Sequence, residues 1–105
     1  MLFGIGKKTG INDYIEEFEG IENGLLVDVR DRWEYDRGHI PGAVSISLEE
    51  IEEGKEISDD RERTIYLYCL NGPRALKAAG ILKERGYTDV TPIGGFSQYK
   101  GPVES

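Results

Sequence analysis

The chain has 105 residues, room for one domain and little more. Apolar residues make up 38% and charged residues 31%, the balance of a globular chain rather than a disordered or membrane-embedded one. A net charge of -7 excludes a broadly basic phosphate-binding surface, so nucleic acid is not an expected partner.

One cysteine excludes an internal disulfide and Cys-x-x-Cys redox chemistry. With a single histidine besides, no metal site is expected. The opening Met1–Gly6 is apolar but too short for a signal-peptide core or a membrane span, and Lys7 and Lys8 follow it rather than precede it. It reads as a short first strand or a docked terminus in a cytoplasmic protein without membrane contact.

In chain order, Asn12 or Asp13 caps a helix through Glu19, with Ile11, Ile15 and Phe18 on one face and Gly20 ending it. Leu25-Leu26-Val27-Asp28-Val29 is an apolar, valine-rich run and predicts a buried strand. Asp31 caps a helical turn over 32–37, which Gly38 stops. Residues 43–47 form a second short strand, followed by a polar helix over 48–53 with Leu48 and Ile51 inward. A charged connection spans 55–63. Thr64-Ile65-Tyr66-Leu67-Tyr68, β-branched and aromatic, is the strongest strand signal and runs directly into Cys69. The helix over 75–85 carries Ala75, Ala78, Ala79 and Leu82 on one stripe, small enough to lie close on a sheet. A last strand covers 90–93, then Gly94-Gly95 and a short helix around 96–99. Alternating strands and helices give an α/β fold: a mainly parallel sheet of about five strands with helices on both faces.

The informative stretch is Cys69-Leu70-Asn71-Gly72-Pro73-Arg74, between a strand end and a helix start. Ligands of open α/β sheets bind at the carboxyl ends of strands. The helix amides and dipole favour an anion there, and so does the fixed charge of Arg74. Gly72 can take a positive φ that curls the loop inward, and Pro73 suits a helix's first turn while giving up its N–H. A lone cysteine is also a common small core residue, so the position alone admits both an inert and a nucleophilic reading.

Cys69–Arg74 resembles the Cys-x-x-Gly-x-Arg active-site loop of single-domain rhodaneses. Asp28-Val29-Arg30, Glu34-Tyr35 and Gly38-His39-Ile40-Pro41-Gly42-Ala43 are similar to that family's leading signature. Ile93-Gly94-Gly95-Phe96, followed by Gly101-Pro102-Val103, is similar to its closing segment. The likeness is strongest over 22–104, with 1–105 expected to form one domain. It implies a sulfurtransferase in which Cys69 takes a sulfane sulfur from a donor such as thiosulfate or a persulfide. The resulting persulfide passes to cyanide, a thiol or a protein acceptor, with no cofactor. Leu70, Asn71, Gly72, Pro73 and Arg74 would hold the donor. Leu70, where the family often has a polar or basic residue, and Pro73, with no amide, put thiosulfate efficiency in question.

Among supporting residues, Asp28 and Arg30 lie two positions apart on one side of a strand end and suit a structural charge pair, with a catalytic Asp28 as the alternative. Glu34 is a candidate partner for an arginine. His39 fits a turn-fixing hydrogen-bond role better than that of a general base, which an ionised thiol would not need. Trp33 and Tyr35 are expected to pack. Two rival functions share these features. A phosphatase or arsenate reductase loop has five residues between cysteine and arginine, whereas Leu70–Pro73 supplies four. A non-catalytic module, or a relay sulfur carrier, could use the same fold.

Overall fold

In the computed structural model, which describes residues 10–105, four parallel strands form one sheet in the order β2-β1-β3-β4. Helix α1 (Ile11–Phe18) precedes β1 (Leu25–Asp28). Then come α2 (Arg32–Arg37), β2 (Val44–Ser45), α3 (Leu48–Glu52), β3 (Ile65–Cys69), α4 (Pro73–Glu84) and β4 (Val90–Gly95). A 3-10 turn over Phe96–Gln98 follows β4. The first strand expected at Met1–Gly6 lies outside the described residues, and the four parallel strands found among those described agree with the expected sheet of about five.

β3 is buried at all five positions, as a central parallel strand covered on both faces must be. Its alternation decides the two cores. Ile65, Leu67 and Cys69 face α3 and α4 together with Val27, Val29, Ile51, Ala75, Ala78, Ala79 and Leu82. Tyr66 and Tyr68 face the other way, with Ile11, Leu26, Ile40 and Ile93, against α1. The alanine stripe of α4 lets its backbone approach the sheet. Leu82, with no exposed surface, adds roughly 1.5–3 kcal/mol by its burial.

Several boundaries differ from the sequence expectation. Helix α1 starts at Ile11 with Gly10 as N-cap and no side-chain cap. Asn12 instead donates to the Gln98 carbonyl at 2.9 Å and accepts from Lys100 N–H at 2.8 Å, tying α1 to the end of the chain. Helix α4 begins at Pro73, since proline's fixed φ suits the first helical position, which shortens the preceding turn. Ser47 caps α3 in a reciprocal box with Glu50. A register shift between Leu67 and Tyr68 places Pro92 opposite Leu67 and Gly94 opposite Tyr68, which leaves Ile93 as an extra residue in β4. Pro92 is tolerated there because β4 pairs with β3 alone among the described strands.

The strand order creates a crevice. β1 leads outward to β2 on one side, and β3 leads to β4 on the other. The carboxyl ends of β1 and β3, which are neighbours in register up to Asp28 opposite Tyr68, therefore mark a topological switch point. Asp28 and Cys69 end those two strands.

Candidate active site

Cys69 is the last residue of β3 and only 1% exposed. The chain turns through Leu70, Asn71 and Gly72 into α4. Gly72 adopts φ 112, a left-handed value that favours glycine and turns the chain into α4, and its N–H donates to the Cys69 sulfur at 3.0 Å. The cysteine's own loop thus supplies a hydrogen-bond donor to Sγ, at the head of a twelve-residue helix whose dipole favours negative charge.

The loop is braced from the β4 side. Ser97 N–H donates to the Leu70 carbonyl at 3.0 Å, and Ser97 Oγ donates to Asn71 Oδ1 at 2.9 Å. Gly95 lies against the same segment: a Cβ there would stand 2.4 Å from the Leu70 oxygen. Neither Ser97 nor the contact role of Gly95 is foreseen in the sequence reading, although a glycine inside a strand is a general sign of close backbone approach. Beside the loop a cleft of about 510 Å³ is lined by Asn71, Gly94, Gly95, Gln98, Lys100 and the first turn of α1. Leu70 is 37% exposed and presents an apolar side chain at the rim of the loop.

Arg74 does not stand free. Its guanidinium binds Glu34 through two hydrogen bonds, Nη1 to Oε1 at 2.8 Å and Nη2 to Oε2 at 3.3 Å. Glu34 is itself fixed, because Oε1 accepts from Asp31 N–H at 3.0 Å in the capping box that starts α2. The Arg74 hydrogen bond holds the Glu34 carboxyl below the usual carboxylate range, against the upward push of burial. The same bond raises Arg74 above its ordinary value, and the nearby Cys69 adds a smaller push in that direction. The pair joins α2 to α4 across the crevice.

Asp28 and Arg30 form the second pair, and both are buried. Arg30 Nη2 donates to Asp28 Oδ2 at 2.7 Å and to the Gly38 carbonyl at 2.7 Å, and Arg30 N–H reaches Asp28 Oδ1 at 2.9 Å. The guanidinium lies 4.4 Å from the centre of the Phe96 ring. Desolvation opposes the Arg30 charge, but the Asp28 contacts outweigh it and hold the group above its ordinary value. The hydrogen bonds of this pair tie the end of β1 to the turn after α2.

His39 follows that turn. Its Nδ1 lies 2.8 Å from the Tyr35 carbonyl, which can only accept, so Nδ1 carries the proton. The ring stacks on Tyr35 with centroids 3.7 Å apart, and the backbone exchanges two hydrogen bonds with Glu104. This is the turn-fixing placement, engaged with α2 and the chain end. Tyr35 packs as expected and donates its hydroxyl to the Ala43 carbonyl at 2.7 Å. Trp33 does not pack: it is 59% exposed, beneath the Arg37 guanidinium. Tyr68, read from sequence only as a strand residue, accepts from Ile40 N–H at 3.1 Å and so anchors the His39 turn to β3. Burial pushes its phenol far above the ordinary value, so it remains a neutral hydroxyl.

A parallel α/β sheet with a cysteine at the switch point, a short glycine turn and an arginine at the helix head defines the rhodanese class. The family model for the rhodanese-like domain matches residues 12–101, and the chain belongs to that family. Among curated relatives, it is 38% identical over 93 residues to the uncharacterized protein YqhL of Bacillus subtilis, covering 86% of this chain and 72% of that one. It is 36% identical over 99 residues to the putative sulfur carrier protein YrkF of the same organism, covering 92% of this chain and 52% of YrkF, about half its length. Among solved structures, a rhodanese with anions from E. coli superposes with a TM-score of 0.69 at 33% identity, over 77% of this chain and 96% of the other. No helix of the described residues is long and apolar enough to cross a membrane.

Proposed function

We propose that residues 1–105 form a single cytoplasmic sulfurtransferase domain that carries sulfane sulfur as a persulfide on Cys69. The ionised Sγ attacks the outer sulfur of a donor, thiosulfate or a persulfide. The donor's sulfur–sulfur bond breaks, and the electron pair leaves on sulfite or on a thiolate. Cyanide or a thiol then attacks the outer sulfur, and Sγ departs as the thiolate it was. Both steps balance without an oxidant, a reductant or a cofactor. The observation that carries this reading is the Gly72 N–H aimed at Sγ at the head of α4. It is an arrangement that stabilises negative charge on sulfur and on the sulfur atom bound to it.

Leu70, Asn71, Gly72, Pro73 and Arg74 frame the donor in this scheme, and Glu34 positions Arg74. Asp28, Arg30 and His39 support the architecture. The phosphatase alternative is disfavoured by the four-residue turn and by Pro73, which removes one amide from any oxyanion cradle. A relay role, with sulfur received from and delivered to proteins, is supported by the likeness to YrkF. It uses the same persulfide. Steady-state formation of thiocyanate from a sulfane donor and cyanide tests the enzyme reading. Wild type is expected to turn over and Cys69→Ser to be inactive; equal rates in the two would sink it.

A further inference from the structure

Both arginines at the crevice are closed by carboxylates: Arg30 by Asp28 and Arg74 by Glu34. The residue after the nucleophile, Leu70, offers exposed apolar surface rather than charge. The two pairs sum to zero charge, on a chain whose net charge is -7. We propose that Glu34 sets donor charge: by holding Arg74 it fits the Cys69 loop to organic sulfane donors of low charge, such as persulfides and thiosulfonates, and against the thiosulfate dianion. The proposal rests on the sulfur-transfer reading above.

A dianion that approaches Arg74 must compete with a carboxylate already bound through two hydrogen bonds, and it also meets that carboxylate's charge. Glu34 is held against release by the Asp31 N–H. A monoanionic or neutral donor feels half of that repulsion or none, and its organic group can lie on Leu70. In every case Sγ bonds to the outer sulfur, the donor's sulfur–sulfur bond breaks, and the pair leaves on a thiolate, a sulfinate or sulfite. Glu34 acts here through Arg74 and is a positioning residue.

The test compares kcat/KM for thiosulfate and for benzenethiosulfonate, a monoanion with an aromatic body, with cyanide as acceptor. Wild type is expected to favour benzenethiosulfonate, a result that needs no variant, and a preference for thiosulfate overturns the proposal. Glu34→Gln keeps an acceptor oxygen and the capping-box geometry but loses the charge. It is expected to raise thiosulfate relative to benzenethiosulfonate by roughly tenfold, the effect of one unit charge over roughly 10 Å at an effective dielectric near 20. Glu34→Asp, which keeps the charge, is expected to hold the wild-type ratio. An unchanged ratio in Glu34→Gln, or an equal fall with both donors, overturns the proposal. Intact mass separates the two failures. If neither donor leaves sulfur on Cys69, the transfer reading falls and this proposal with it. If sulfur is carried and the ratio stays fixed, this proposal alone is wrong.

Discussion

Gly95→Ala is the substitution that most directly loads the bracing of the Cys69 loop. Gly95 has φ -118 and ψ 138, an ordinary extended backbone, so alanine meets no conformational objection. The objection is contact. The new Cβ would lie 2.4 Å from the Leu70 oxygen, 2.8 Å from Asn71 Cα and 3.0 Å from the Leu70 carbonyl carbon. All three are main-chain atoms, so no rotamer change relieves the clash. Ordinary contact begins at 3.4 Å, which requires the loop or β4 to retreat by about 1 Å. Overpacking of this kind costs about 1–3 kcal/mol. A shift of about 1 Å in a nucleophile's surroundings costs on the order of 100-fold in rate. Urea melts would read the first quantity and thiocyanate formation the second. Alkylation of Cys69 by iodoacetamide reports loop displacement independently of turnover. A Gly95→Ala protein with wild-type stability, alkylation rate and turnover would refute the view that the β4 backbone sets the loop position.

Arg30→Ala leaves Asp28, which has no exposed surface, as an unpaired buried carboxylate. The expected cost is about 3–5 kcal/mol in a urea melt, and a loss below about 1 kcal/mol would contradict a structural pair. For the Glu34–Arg74 pair the pH dependence has a definite sign. The Glu34 carboxyl is lower in the folded than in the unfolded chain, so its stabilisation is complete above the ordinary carboxylate range. It is lost as pH falls through the lower folded value. With Arg74 partly exposed, the pair is worth about 1 kcal/mol. The stability gap between wild type and Glu34→Gln should therefore shrink to zero on acidification below about pH 4, and a gap that widens there would reverse the assignment.

The two central strands are legible in the sequence to within a residue, because apolar and β-branched runs in a buried parallel sheet have few other uses. The cysteine loop is legible for a similar reason: strand, glycine turn and helix follow one another without a gap. What escapes is set by distant contacts. Asn12 looks like a cap, yet its amide is spent on Gln98 and Lys100, more than eighty residues away. β4 continues through Gly94 and Gly95, which propensity disfavours, because pairing with Tyr68 and Cys69 extends it. Trp33 is apolar in type but faces solvent, since a six-residue helix gives too little periodicity to fix its faces. The sequence suggests that Glu34 meets an arginine; only the fold brings it to Arg74, forty residues on, and so places a carboxylate against the loop's own cation.

The proposed function depends on Cys69 carrying sulfur. Wild-type protein and Cys69→Ser, each incubated with benzenethiosulfonate or thiosulfate and weighed intact, test it directly. Wild type is expected to gain one sulfur atom, removed by a thiol or by cyanide, and Cys69→Ser to gain none. An unaltered wild-type mass with both donors, or the same gain on both proteins, would contradict it.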